Sequence, residues 1–223
     1  MSTKAERIKR AKLPPRTSEH GNRLPPGQVL TERFPILHVG DVPVYDPIDK
    51  WDLQVFGAVE QPRRFRFNDL LAMPQRKITC DIHCVTRWSK FDNVFEGIPF
   101  RTFMESFAVR PEATHVIVHG DYDYETNVPL EDLLNDNVLL AHSYNGHPLT
   151  EKHGFPLRLI VPHLYFWKSA KWLRGFEFVN EDRNGYWERN GFHHYGDPFR
   201  EQRFSDEELE MPEDGWKEKE YDE

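Results

Sequence analysis

The sequence predicts an α+β domain built of mixed sheets and short helices. Three observations carry that expectation. Short β-type runs alternate with short helical pieces, without the regular βαβα order of a doubly wound sheet. The longest apolar pieces, such as LRLIV at 157–161, are strand-sized and fall well short of the roughly 20 residues that span a bilayer. The chain has 223 residues, enough to bury a core within one large domain.

Each element has a local reason. WDLQVFGAV (51–59) alternates like a half-buried strand. RRFRFN (63–68) is its hairpin partner, joined through Glu60-Gln61-Pro62. Asn68 is expected to cap a short helix, DLLAM, that stops before Pro74. RKITCDIH (76–83) reads as a strand that delivers Cys84 to its end. PFRTFMESFAV (99–109) has helical spacing at Phe100, Phe103, Met104 and Phe107. THVIVHG (114–120) is a strand, and PLEDLLND (129–136) a short helix with an early proline. VLLAHSYNGHPL (138–149) is a strand followed by an Asn-Gly turn. PLRLIVP (156–162) and LRGFEFV (173–179) are the last two strands.

The two ends differ from this middle. Residues 1–30 contain two Pro-Pro pairs and are expected to form a basic arm; residues 1–33 carry eight Lys and Arg against three Asp and Glu. Residues 31–204 are the expected domain, and 205–223 an acidic tail, with eleven Asp and Glu against three Lys and Arg over 201–223. Charge-rich arms with few apolar residues remain solvated. The basic arm is short and lacks interleaved aromatics, so no nucleic-acid partner is expected. The N-terminus has no apolar stretch and no twin-arginine pair, so it is not read as a secretory signal. The expected location is the cytoplasm, without membrane insertion, with both thiols reduced.

Three constellations carry chemistry. CDIHCVTRWSKFDN (80–93) holds both cysteines of the chain beside His83 and Arg87. A thiolate at a strand end in that positive field suits metal binding or nucleophilic attack. Cysteine is equally often a small buried hydrophobe. A structural zinc site needs four ligands, usually in two close pairs, and no second cysteine pair exists to match Cys80 and Cys84. HGFPLRLIVPHLYFWKSAKWL (153–173) places Arg158, Lys168, Lys171 and Ser169 among apolar strand residues. Cations in that setting call for an anionic partner, because an unpaired buried charge is costly. GYWERNGFHHYGDPFREQRF (185–204) is rich in aromatic, His and Arg residues and reads either as a pocket wall or as a strap packing Tyr186, Trp187 and Phe192 on the sheet.

Taken in order, the strand-end cysteine, H-G-F-P-L-R-L-I-V-P and K-S-A-K-W-L resemble the sulfite oxidase family of molybdopterin enzymes, in particular its short bacterial members. The resemblance covers roughly residues 30–200 and implies that family's mixed α+β fold. It implies molybdenum held by a molybdopterin, with Cys84 as the protein's sulfur ligand. Arg87 and His83 would then tune the site. His153 and Arg158 match contacts to the pterin and its phosphate, and Ser169, Ala170 and Lys171 match the cofactor loop. LTERFPIL (30–37) resembles the first pterin-contacting strand, which puts Glu32, Arg33 and Phe34 near the cofactor. His119 falls in the region of another contact.

The sequence departs from the family in three places. The tyrosine near the metal in a W-x-x-x-x-Y context is replaced here by Phe192, with Tyr195 nearby. The arginine that precedes the pterin strand is replaced by Thr31. No C-x-x-C-H haem motif occurs. The expected activity is oxygen-atom transfer on a small substrate, of the sulfite oxidation or sulfoxide reduction type, with an external electron-transfer partner. His193, His194 and Tyr195 are expected to line the substrate entrance. The alternatives are a non-catalytic binding domain of the same fold and a zinc-dependent hydrolase.

Overall fold

The computed structural model describes residues 22–205. They form eleven strands and four short α-helices, arranged as two sheets around a shared core. The strands are β1 (Val29–Leu30), β2 (Asp52–Gly57), β3 (Arg63–Arg66), β4 (Arg76–His83), β5 (Trp88–Pro99) and β6 (His115–Gly120). They continue as β7 (Glu125–Pro129), β8 (Leu139–Tyr144), β9 (His147–Pro148), β10 (Arg158–Ile160) and β11 (Leu173–Val179). The helices are Phe67–Leu71, Phe100–Met104, Leu130–Leu133 and Tyr186–Arg189.

One sheet runs β1-β5-β8-β10, with β4 also on β5 and β9 also on β8. The other runs β3-β2-β11-β6-β7, and only its β2–β11 pair is parallel. The main core lies between them. Leu53 and Val55 of β2, Val116 and Val118 of β6, and Phe176 and Phe178 of β11 meet Ile98, Leu140 and Leu159 from the first sheet. Alternate residues of the first sheet point the other way. Leu139, Ala141 and Ile160 join Ile82, Phe95 and Phe34 in a second cluster. Burial on both faces is why residues 157–161 are all buried, apolar except for Arg158, with no alternation of buried and exposed positions.

Most of the expected elements are present, and the exceptions have physical causes. The first helix begins at Phe67, and Arg66 is its N-cap. The Asp69 carboxylate accepts the Arg66 backbone N–H at 2.7 Å, so the acid three positions on closes the turn rather than Asn68. The longest strand, β5, was not expected. Its Lys, Asp and Asn residues break the apolar alternation, and a bulge against β4 and another against β8 absorb the irregularity. Part of the expected arm also belongs to the domain. Pro25, Gly27 and Gln28 are buried, and β1 pairs in parallel with the start of β5. The boundary expected after residue 30 therefore falls directly behind a paired strand. The acidic tail from 206 onward lies outside the described residues, as does the arm up to residue 21.

Candidate cofactor site

Cys84 follows the last residue of β4, where the chain turns sharply into β5. Its N–H donates to the Trp88 carbonyl at 2.9 Å, and its own carbonyl accepts from Arg87 N at 3.0 Å. Arg87 makes the reversal with a left-handed φ of 74°, a conformation that costs a residue other than glycine. The thiol is 8 % exposed and packs with Val85, Tyr165, Trp167 and Phe192. The Thr86 hydroxyl donates to the Cys84 Sγ at 3.0 Å. His83 is buried alongside, with Nδ1 2.8 Å from the Ser89 hydroxyl, and burial pushes its imidazole down to about 4. It is neutral at pH 7 and adds no positive charge beside Cys84. Arg203, a buried guanidinium, donates to the Val85 carbonyl next to Cys84 at 3.0 Å and brings positive charge to this turn.

Cys80 is different. Burial pushes its thiol up to about 12, so it keeps its proton at neutral pH.

The second part of the site surrounds Arg158 on β10. Its guanidinium is 2 % exposed and donates to two carbonyls, His153 O at 2.9 Å and Ser169 O at 3.0 Å. It covers the Phe166 ring at 4.4 Å and approaches Phe34 at 5.8 Å. Lys171 is half-buried, donates to Lys152 O at 2.8 Å and lies over the Trp172 ring. Among the described residues neither cation has a carboxylate partner. Burial pushes Arg158 down to about 9, which leaves it charged at pH 7. Burial and the neighbouring Arg158 charge push Lys171 down to about 6. Burial is the first cause of both shifts, and no carboxylate among the described residues offsets it. His153 closes the group. Its Nε2 lies 3.3 Å from Phe34 O, its ring is 4.5 Å from the Phe34 ring, and burial holds its imidazole below the ordinary value. Gly154, at φ +110°, lets the chain pass so closely that an added Cβ would lie 3.2 Å from side-chain atoms of both Arg158 and Lys171.

Of the residues expected at the site, Phe34, His153, Arg158, Ser169, Ala170 and Lys171 come together here. Ser169 and Ala170 are buried, and each serves the backbone: the Ser169 hydroxyl accepts Val161 N at 2.9 Å, and the Ala170 carbonyl accepts Leu159 N at 2.8 Å. Glu32 and Arg33 are exposed while Phe34 turns inward. Lys168 is not an anion-binding residue. It is fully buried in an ion pair with Glu188 at 2.6 Å, and it also donates to Asn127 and to the His194 carbonyl. His119 stands in the other sheet, between Glu177 at 3.1 Å and Glu125 at 3.4 Å. Its segment reaches the site through Tyr124, whose hydroxyl donates to Trp167 O at 2.5 Å. His193, His194 and Tyr195 line an open cleft of ≈ 360 Å³ together with His115, Asp182 and Arg200. The strap reading of 185–204 holds as well: the Trp187 and Phe192 rings stack at 4.6 Å, and Phe192 packs in the Cys84 cluster.

Trp88 joins the two parts, packing against both the Phe34 cluster and the Cys84 cluster. Sequence reasoning missed it, along with Tyr165, Arg203 and Gln28. All four carry a buried polar atom without a hydrogen-bond partner: Trp88 Nε1, Tyr165 OH, Arg203 Nε and Gln28 Oε1. Arg158 Nε is a fifth. Unpartnered buried polar groups are rare and costly, so their concentration around one thiol and one cation pair is informative. Four of the five can donate, which suits a ligand rich in acceptor oxygens. Molybdopterin with molybdenum is a ligand of that kind, rich in acceptor oxygens.

Fold and site together describe a domain suited to an anionic group that also takes a sulfur ligand. Comparison with known proteins identifies the group. The oxidoreductase molybdopterin binding domain family matches residues 39–187, and the chain belongs to that family. It is 50% identical over 190 residues to the uncharacterized oxidoreductase YuiH of Bacillus subtilis (strain 168), covering 85% of this chain and 96% of that protein. It is 29% identical over 174 residues to a putative protein-methionine-sulfoxide reductase subunit, YedZ1, of Azospira oryzae, covering 77% of this chain and 66% of that protein. It is 31% identical to human mitochondrial sulfite oxidase, covering 77% of this chain but 38% of that enzyme. The sulfane dehydrogenase SoxCD of Paracoccus pantotrophus shares the fold, with a TM-score of 0.57 at 22% identity, over 70% of this chain and 42% of that one. The domain is thus a sulfite oxidase-like molybdopterin oxidoreductase, and its cofactor is molybdopterin with molybdenum.

Proposed function

We propose that this domain catalyses oxygen-atom transfer to or from a small substrate, with the Cys84 thiolate as the protein ligand of molybdenum. The observation that carries the reading is the placement of Cys84: a buried thiol on a constrained turn, with Thr86 donating to its sulfur and unpartnered donors gathered round it. The bound cofactor would supply a metal that exchanges an oxygen atom with substrate while changing oxidation state. The chain's own residues have separate tasks. Arg158 and Lys171 hold the phosphate, as two cations without a carboxylate between them. His153 and Phe34 would contact the pterin, and Ser169 and Ala170 would hold the neighbouring loop in shape through their bonds to Val161 and Leu159. Arg87 adjoins the ligand and tunes it. Glu32, Arg33 and His119 have weaker support as cofactor contacts, since the first two are exposed and the third is engaged by carboxylates. His193 and Tyr195 line a cleft with His115, Asn127 and Asp182 that neither Cys84 nor the Arg158 group lines, so the geometry does not support them at the substrate entrance.

Relatives named for sulfite oxidation and for methionine-sulfoxide reduction leave both directions of transfer within the reading. Electrons pass to or from a separate carrier protein. No helix among the described residues is long and apolar enough to cross a membrane. A cytoplasmic location is part of the proposal, and two unbridged thiols suit it. Among the described residues no three His, Cys, Asp or Glu side chains converge as metal ligands, which disfavours the zinc hydrolase.

The test is metal and pterin analysis of protein made in a host that supplies the cofactor. The expected result is near-stoichiometric molybdenum with pterin in the wild type, and folded Cys84→Ser protein that has lost the oxidoreductase activity. A Cys84→Ser variant with undiminished activity would overturn the metal assignment.

A further inference from the structure

Cys84 is held from both ends of the described chain. Gln28, buried just ahead of β1, donates its amide Nε2 to the Cys84 carbonyl at 3.0 Å. Arg203, near the opposite end, donates Nη1 to the next carbonyl, Val85 O, at 3.0 Å. Its Nη2 donates to Pro26 O, also at 3.0 Å, so one guanidinium ties the two end segments to each other and to the turn. Backbone bonds complete the frame. Val29 N donates to Arg87 O at 2.9 Å, and Thr31 N to Ser89 O at 2.9 Å. The strap is fixed in turn by His193 N to Arg203 O and Ser205 N to Gly191 O.

These contacts are specific. Gln28 and Arg203 lie 56 and 118 residues from the carbonyls they engage, and both are 4 % exposed. Neither helps to form the turn locally, since the Cys84–Trp88 and Arg87–Cys84 backbone bonds already close it. What the two side chains add is a fixed orientation for the Cys84 and Val85 peptides, and through them for the Cα–Cβ bond that aims the sulfur. Arg203 also lies 5.0 Å over the Tyr165 ring, so the same clamp holds a wall of the thiol's chamber.

We propose that Gln28 and Arg203 are positioning residues for Cys84, a clamp supplied by the two end segments of the described residues that sets the direction of the sulfur. The proposal rests on the reading of Cys84 as the metal ligand. It predicts that loosening the clamp changes the ligand's geometry before it changes the fold.

The experiment uses Gln28→Glu, which replaces the donor with an acceptor of the same shape, together with Arg203→Met and the conservative Arg203→Lys. In the cofactor-loaded protein, the electron paramagnetic resonance signal and the reduction potential of the metal are read. In cofactor-free protein, the alkylation rate of Cys84 by iodoacetamide is read by peptide mass, with Cys80 scored separately. Gln28→Glu and Arg203→Met should shift the resonance and the potential and raise the Cys84 alkylation rate roughly tenfold, the equivalent of one lost hydrogen bond. Arg203→Lys should recover part of each change. Wild-type spectra, potentials and alkylation rates in all three variants would overturn the clamp. A variant that binds the cofactor poorly still reports through alkylation of the free protein. The underlying reading fails separately, if wild-type protein from a competent host carries no molybdenum or if Cys84→Ser leaves the metal's spectrum unchanged.

Discussion

Lys171 shows how a single side chain can make the site respond to pH. Its ammonium is pushed down to about 6 by burial and by the adjacent Arg158. Between that value and its ordinary one, the unfolded chain binds a proton that the folded, ligand-free chain does not. Through this group the fold therefore gains stability as pH rises above about 6 and loses it as pH falls. An anion reverses the preference, because it favours the protonated ammonium. Sulfate, which does not itself titrate near neutrality, should bind cofactor-free protein more tightly as pH falls from 8 to 6, by at most about tenfold per unit. Calorimetric titration at several pH values should show this slope in the wild type and its loss in Lys171→Met. His153, also held below its ordinary value, adds only at the acid end.

At the scale of elements, β5 organises the first sheet. It takes β4 along its length, β8 against its C-terminal half and β1 at its start. The contact with β8 depends on Gly97, which sits where the register shifts. An added Cβ there would lie 2.0 Å from Leu140 O and 2.7 Å from the Ala141 Cα, and these are backbone atoms that cannot swing aside. Gly97→Ala should therefore destabilise the domain by about 3 kcal/mol, at the upper end of overpacking costs, measured by denaturant unfolding. Gly146, in the exposed Asn-Gly turn after β8, has nothing within 4 Å of such a Cβ, although its φ of +82° keeps some strain in a substitution there. β5 also marks the limit of local reading. Residues such as Lys90, Asp92 and Asn93 obscure its period, and only its three neighbours show why the segment is extended.

At the scale of the molecule, the buried Lys168–Glu188 pair joins parts that are far apart in sequence. Lys168 belongs to the turn after β10, Glu188 to the helix that opens the strap, and their respective partners Asn127 and Thr126 to β7 of the second sheet. Trp167 adds its indole N–H to the same carboxylate at 2.8 Å. Removing one charge leaves the other buried and unpaired, so Lys168→Met or Glu188→Gln should each cost about 3–5 kcal/mol. The double variant Lys168→Met/Glu188→Leu should cost less than the sum of the two, as a double-mutant cycle by chemical denaturation would show.

The class of fold, the family and its motif residues can be read along the chain: Cys84 at a strand end, and Arg158, Ser169, Ala170 and Lys171 along one largely apolar stretch. These were legible because periodicity and motif are local, and each survives in a window of a dozen residues. Which cations are available to a ligand is settled by packing. Lys168 and Lys171 are three positions apart in one motif, yet one is consumed by Glu188 and the other has no carboxylate partner among the described residues. Only the fold also recruited Gln28, Trp88, Tyr165 and Arg203, because neither local pattern nor motif distinguishes a side chain whose partner lies tens of residues away. The physical reason is that burial sets the cost of a charge or an unpartnered donor, and burial is a property of the packed whole.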